Sequence, residues 1–518
     1  MILELILNIA AIVATAFYLA MRLVAEMQMA QQNSYRIKRY GRWLKGDLGN
    51  SVRVTDLLLC LIVVFYAGNL WAMGGVFFIN ILKVTKEFGR KSKKPLVYTP
   101  RVWRTLSVEA VLAVAVGVVA GVVFGLQWVV PALQTTVVLT PLLTIVAFVI
   151  LTPVEKAINR GYYNDAVRIL RSMPNLRIVA ITGSYGKTST KHYLYRILSE
   201  RYNVLMTPGS FNTTLGVIRT IREQLKPYHE VFIVEMGAKQ IGDIREICEL
   251  VHPTIGIVTA VGEQHLESFG SIENVQKTKF ELVDALPADG FAVLNDDFRY
   301  IREREVTNVA TARYGKGADY KVTSTQYNAE GTQFTVESND GWKLDLQTQL
   351  VGKYNLTNTL ASCIVARHLG LTDNEIRIAV ADIRQVEHRL SIRRAGGLTI
   401  IDDAFNSNPH GSAMALEVLA EFKGGKRIVI TPGMIELGEK QYDYNRVLGR
   451  NAARACDYAI VVGEFNRKAI VDGLRDEAFS AERIIEAASF ADAMTHLHKI
   501  AEAGDTVLYE NDLPDTFK

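Results

Sequence analysis

Ile181-Thr182-Gly183-Ser184-Tyr185-Gly186-Lys187-Thr188-Ser189-Thr190-Lys191 decides how this chain is read. Before it runs the apolar stretch Arg177-Ile178-Val179-Ala180, read as a buried strand. After it, Lys191 to Leu198 reads as a helix. A glycine-rich turn between strand and helix presents backbone N–H groups and a helix N-terminus to an anion. Lys187 adds a point charge for phosphates, and Thr188 adds a hydroxyl for Mg²⁺. The common P-loop has a longer spacing between its glycines. Here only Ser184 and Tyr185 separate Gly183 from Gly186, and Ile181 stands where the first glycine of the long form belongs. The shorter Gly-x-x-Gly-Lys-Thr form remains. Gly183, Ser184, Gly186, Lys187, Thr188 and Ser189 are therefore the candidate nucleotide-binding residues.

Outward from this turn, apolar runs alternate with helical periods. Val231–Val234, Thr254–Val258 and Phe291–Leu294 read as strands, and 243–250 and 273–286 as helices. That alternation predicts a mostly parallel α/β sheet. Residues 319–350 instead alternate polar and apolar side chains, as in Gln333-Phe334-Thr335-Val336, which predicts an antiparallel insertion. A second α/β unit begins near 397, with strands at Leu398–Ile401, Arg427–Ile430, Tyr458–Val462 and Thr506–Tyr509.

The N-terminal part has a different composition. Residues 5–21, 57–82 and 107–152 hold a single charge, Glu109. The last stretch is long enough for two membrane crossings, with a turn near Trp128 and Pro131 and a kink at Pro141. The first 152 residues carry a net charge of +9 and the other 366 carry −5. Basic loops at 22–56 and 83–106 beside apolar spans suit anionic headgroups and the cytosolic side, not nucleic acid. If both loops are cytosolic, residues 57–82 form a hairpin, breaking at Ala67-Gly68-Asn69 or Gly74-Gly75; otherwise they cross once. Tyr35, Tyr40 and Trp43 among Arg36, Lys38, Arg39 and Arg42 read either as an interfacial segment or as a solvated loop. The four cysteines form no Cys-x-x-Cys pair and read as reduced structural residues.

Several polar residues fall at strand ends, where open α/β sheets bind ligands. Glu235 can hold Mg²⁺ opposite Thr188, although an acid at a strand end is as often a surface residue. His265 follows another strand. Lys277 and Lys279 share a helical segment with Glu281 and read as solvated lysines unless something buries them. Asn295-Asp296-Asp297 closes a further strand. Asp402-Asp403, followed by Phe405-Asn406-Ser407-Asn408-Pro409, either orients a cationic amine or a metal, or is a polar turn capping a helix.

In this order and spacing, the motifs from about residue 177 onward resemble the Mur ligases, ATP-dependent amide-forming enzymes of peptidoglycan synthesis. The likeness is closest to the branch that adds D-alanyl-D-alanine. Asp402-Asp403-Ala404-Phe405-Asn406-Ser407-Asn408-Pro409 and Gly433-Met434 with Glu436-Leu437-Gly438 match motifs particular to that branch. The resemblance implies an α/β fold with a P-loop α/β central domain (156–390) and a Rossmann-like α/β C-terminal domain (391–518), while the composition before them predicts a multi-span α-helical membrane domain (1–155). It implies Mg²⁺ bound by Thr188, Glu235, His265 and Lys279, the last carbamylated to act as a carboxylate. It implies nucleotide contacts from Asn295, Asn355, Asn358 and Arg389. It also implies that Lys187, His265, Lys279 and Asp403 are catalytic, with Asn406, Asn408 and Glu436 facing substrate.

The departures bear on the substrates. The family's UDP-binding N-terminal domain is replaced by the apolar segments, Tyr354 replaces a histidine, and Phe280 replaces a glycine. The terminal Val-Leu-x-Lys-Gly-Ser is here Val507-Leu508-Tyr509-Glu510-Asn511-Asp512. The expected function is ligation of an amino acid or dipeptide to a carboxylate of a cell-envelope precursor, through an acyl phosphate. The expected site of action is the cytoplasmic membrane, with the ligase domains cytosolic and a lipid-linked precursor as one candidate partner. A soluble UDP-linked precursor, a poly-γ-glutamate-type synthetase and a non-catalytic ATP-binding scaffold remain as alternatives.

Overall fold

The computed structural model describes residues 2–33, 35–46, 52–63, 65–88, 95–263, 266–328, 331–350, 352–387, 389–405 and 407–512. They divide into two compact units, one up to Ile158 and one from Asn159 onward.

The first unit is helical: α1 (Ile2–Gln32), α2 (Ile37–Gly46), α3 (Val54–Val63), α4 (Leu70–Phe88), α5 (Pro100–Phe124), α6 (Val129–Val138) and α7 (Thr140–Arg171), which runs on into the second unit. α1, α5 and α7 are long and apolar enough to cross a membrane. Residues 57–82 are broken between α3 and α4, where Gly68 adopts φ +74°. Lys83 near the end of α4 reaches Thr55 and Asp56 at the start of α3, and Arg53 pairs with Glu87, so this pair of helices is a hairpin. Pro141 lies in the first turn of α7, after a break at Leu139; it therefore starts a helix and does not kink one, and Pro153 is the proline inside α7. The basic stretch does not lie free. Tyr40 is fully buried against Met27, Val102 and Phe148, and its hydroxyl donates to Glu26 at 2.7 Å.

The second unit holds two sheets. The strands are β1 (Arg177–Thr182), β2 (Val204–Met206), β3 (Val231–Glu235), β4 (Ile255–Val258), β5 (Phe291–Asn295), β6 (Ala310–Tyr314), β7 (Tyr320–Asn328), β8 (Gly331–Ser338), β9 (Lys343–Thr348), β10 (Ser391–Ala395), β11 (Leu398–Asp403), β12 (Arg427–Thr431), β13 (Tyr458–Val462), β14 (Ile484–Ala487) and β15 (Thr506–Glu510). The larger sheet has the order β2-β3-β1-β4-β5-β6-β7-β8-β9, parallel except for the antiparallel β7-β8-β9. The alternating segment at 319–350 thus extends the main sheet. The smaller sheet has the order β10-β11-β15-β12-β13-β14, with only β10 antiparallel.

β1, β3 and β4 read as continuous apolar runs because helices cover both faces of the sheet. Val179, Ile181 and Ile233 pack on one side with α8 (Lys187–Leu198); Ala180, Phe232 and Val234 pack on the other with α9 (Asp243–Val251) and α10 (Ile272–Asp284). The site also uses α11 (Lys353–His368) and α13 (Pro409–Ala420), and between them α12 (Asp373–Ala381) packs on β9. α8 begins four residues earlier than the apolar pattern suggests, because Gly186 in the left-handed conformation ends the turn and lets Lys187 open the helix.

Candidate active site

The turn after β1 is shaped by two glycines. Gly183 has φ +150° and Gly186 φ +79°. A Cβ on Gly183 would lie 2.1 Å from Thr259 Oγ1, and one on Gly186 would lie 2.8 Å from Asn358 Oδ1. Only glycine lets the end of β4 and the start of α11 close on the loop. Ser184 N–H donates to Ala260 O at 2.8 Å, and Ser184 Oγ to Gly262 O at 3.0 Å. Thr188 and Ser189 fall in the first turn of α8. Lys187 Nζ donates to Gly183 O at 2.6 Å and to Ser184 O at 3.3 Å. Burial brings its pKa down to about 8; Glu235 opposes this and Arg389 adds to it.

Glu235, the last residue of β3, is 1 % exposed. Thr188 Oγ1 donates to its Oε1 at 3.3 Å, Asn212 Nδ2 donates to the same oxygen at 3.0 Å, and Lys191 Nζ lies 2.9 Å from Oε2. Burial pushes the Glu235 carboxyl up, but Lys191, Lys187 and Asn212 outweigh it and hold it below the usual carboxylate range. Lys191 and Asn212 are the partners that sequence reading missed. Lys191 was visible only as the end of the motif, and nothing in the chain pattern marks Asn212.

Lys279 is 3 % exposed on α10, with Nζ 5.9 Å from the centre of the Phe269 ring. The reading of a solvated lysine fails here and holds for the exposed Lys277. Burial first, then Lys187, brings Lys279 down to about 7 against the pull of Asp243 and Glu281. Glu281 itself caps α9, accepting from Gly242 N–H at 2.7 Å and Arg245 N–H at 3.0 Å. His265 lies outside the described residues, as does Asn406. Among the described residues no group of three His, Cys, Asp or Glu is arranged to hold a metal. The glycine cradle, the helix start, Lys187 and the adjoining Thr188 and Glu235 do fit a nucleotide with one Mg²⁺.

Asn295 closes β5 and donates Nδ2 to Thr259 O at 2.8 Å. Asn355 accepts from Tyr193 OH at 2.8 Å, and Asn358 abuts Gly186. Beside them, rings from four distant segments gather. His410 lies 5.7 Å from Tyr185, 5.4 Å from Phe298 and 4.7 Å from Tyr354, between ring centres. Only Tyr354 stood out in the sequence, as a departure from the family motif.

In the smaller sheet, Asp403 closes β11 and accepts from Leu390 N–H at 3.0 Å. Burial pushes it up to about 6, against the opposing charge of Arg389. The Arg389 guanidinium sits 4.0 Å from the centre of the Phe405 ring. Burial lowers its pKa, against both Asp403 and Glu235. Asn408 Oδ1 accepts from Gly411 N–H at 2.8 Å and so caps α13, the structural role the sequence left open for this turn. Glu436 adopts φ +62° and lies 3.5 Å from Lys239 Nζ, and Lys440 reaches Glu263 at 2.7 Å.

Residues 181–366 match the Mur ligase middle domain and residues 388–509 the Mur ligase glutamate ligase domain. Over 309 residues the chain is 32% identical to the UDP-N-acetylmuramoyl-tripeptide–D-alanyl-D-alanine ligase of Escherichia coli (strain K12), which covers 58% of this chain and 68% of that protein. The chain belongs to the Mur ligase family. As a Mur ligase it is an ATP-dependent ligase. The Bacillus subtilis (strain 168) enzyme of the same description is 25% identical over 337 residues, covering 64% of this chain and 72% of that enzyme. The crystal structure of MurF ligase from Thermotoga maritima in complex with ADP is 27% identical and superposes with a TM-score of 0.61, covering 68% of this chain and 80% of that one.

Proposed function

We propose that this Mur ligase binds ATP at the β1–α8 turn and joins an amino acid or dipeptide to a carboxylate of a cell-envelope precursor held at the membrane. The observation that carries the reading is the turn itself: Gly183, Gly186 and Lys187 beside the Thr188–Glu235 contact. The relatives named above act, by their description, on UDP-N-acetylmuramoyl-tripeptide and D-alanyl-D-alanine.

A carboxylate is a poor electrophile. An oxygen of the acceptor carboxylate attacks the terminal phosphorus of ATP, giving an acyl phosphate and ADP. The amine nitrogen then attacks the acyl carbon, phosphate leaves, and the nitrogen gives up a proton. Such chemistry depends on positioning and charge neutralisation. Lys187 leaves the loop carbonyls for the phosphates, the α8 N-terminus adds its dipole, and Asp403 orients the amine. Thr188 and Glu235 would hold one Mg²⁺, with His265 and Lys279 for a second, and the metal would supply positive charge against the phosphates. The low pKa of Lys279 supplies the neutral amine that carbamylation by CO₂ requires. In this reading Asn295, Asn355, Asn358 and Arg389 line the nucleotide, while Asn406, Asn408 and Glu436 face the amine.

The helices before Ile158 support a membrane-presented acceptor, because binding energy from a remote part of a substrate positions its reacting end. ATP-dependent phosphate release by the full chain in lipid, with lipid-linked and UDP-linked acceptors, tests both levels. Lys187→Ala should remove release by about 100-fold or more; unchanged release ends the ligase reading. Deleting residues 1–155 should abolish activity on the natural acceptor. A truncated protein that ligates a soluble UDP-linked peptide as fast as the full chain does refutes membrane presentation.

A further inference from the structure

Glu510, the last residue of β15, is fully buried. It lies level with Asp403 on the neighbouring parallel strand β11, so two carboxylates stand side by side at the C-terminal edge of the smaller sheet. One Glu510 oxygen accepts from Ser407 Oγ. The other, Oε2, has no hydrogen-bond partner. No described Lys, Arg or His pairs with Glu510. The charge it faces is the like charge of Asp403, and burial together with Asp403 pushes its pKa well above the carboxylate range.

Its surroundings are built to hold it there. Ser407 N–H donates to Asn511 Oδ1 at 3.1 Å, and Asn511 Nδ2 donates to Gly433 O at 2.6 Å. Asn511 takes a left-handed φ of +67° to make these bonds. The loops after β11, β12 and β15 are thus locked around a carboxyl with an unused oxygen. Ionised, that oxygen is a buried anion without a counter-charge; protonated, it is a buried donor without an acceptor. Either state is costly until a partner arrives.

The pair is also coupled electrostatically to the nucleotide turn. Arg389 interacts with Asp403 on one side and Glu235 on the other. An amine whose own carboxylate entered here would meet two more carboxylates. An ammonium has three donors, and one of them satisfies Oε2.

We propose that Glu510, beside the Asp403 that orients the reacting amine, forms a subsite for a second cationic group on the amine substrate, so that the amine is a diamine or a basic amino acid rather than a neutral dipeptide. The inference rests on the ligase reading for the location of the amine.

Binding is measured on the full chain in lipid nanodiscs with ADP and Mg²⁺, using cadaverine, L-lysine and D-alanyl-D-alanine as probes. The two cationic probes should bind roughly tenfold or more tighter than the dipeptide, and Glu510→Gln should erase that preference while ADP affinity stays as in wild type. Equal binding of all three probes by wild type overturns the inference. So does a preference that survives in Glu510→Gln. If that variant does not fold, the wild-type preference decides alone. A wild type that fails to bind ADP sinks the ligase reading, whereas one that binds ADP but shows no cationic preference sinks only this inference.

Discussion

Glu235 and Glu510 occupy matching places in two different sheets. Each is the last residue of a buried parallel strand, and each is almost wholly excluded from solvent. Glu235 carries its counter-charge within its own domain, with Lys191 at 2.9 Å and Asn212 and Thr188 on the other oxygen. Glu510 has Ser407 and nothing for Oε2. Glu235 is charge-balanced inside the chain before any Mg²⁺ arrives. Glu510 has no such balance, so the proposal completes it from outside the chain.

The largest expected effect breaks the Glu235 side. Glu235→Ala leaves Lys191, 0 % exposed, as a lone buried cation, and should cost about 3–5 kcal/mol in urea unfolding. A loss within experimental error would mean that Lys191 reaches water, and the contrast with Glu510 would collapse. Next comes Lys279. Lys279→Ala should lower phosphate release about 100-fold and regain part of it with added short-chain carboxylic acids, while Lys277→Ala changes little. Full activity in untreated Lys279→Ala removes the carbamylated lysine from the proposal.

Asp403 provides the gentlest test. Its folded-state pKa of about 6 lies above its ordinary value of 3.8. The folded chain therefore holds this proton more tightly than the unfolded chain. The associated stability is complete below about pH 4 and is lost as pH rises through 6. Wild type should lose stability relative to Asp403→Asn between those values, read from urea midpoints at stepped pH. A constant gap across the window would show that Arg389 already neutralises Asp403.

The sequence makes one half of this contrast easier to see than the other. Gly183 to Thr188, Glu235 and Asp403 are legible because strand ends and glycine turns are local features. Lys191, Asn212 and the rings of Tyr185, Phe298, Tyr354 and His410 meet only through the fold, so no spacing announces them. β10 went unseen because Ser391-Ile392-Arg393-Arg394-Ala395 is an exposed edge strand with little apolar content, and β14 is only four residues long. Lys279 stood out only through the family resemblance, because a lysine at helical spacing looks solvated until Phe269 packs beside it.

The larger sheet has a consequence for handling the protein at high concentration. An open sheet ends in two rows of unpaired backbone groups, which invite a strand from another molecule. Here one edge, β2, is three residues long. On the other edge, β9 turns Lys343, Asp345 and Gln347 outward, and α12 lies along it with Arg377 donating to Asp345 O at 3.4 Å. Neither edge offers a long, flat, apolar template. The larger sheet is therefore a poor template for self-association, whereas the exposed apolar side chains of α1, α5 and α7 are the surface that detergent or lipid has to cover.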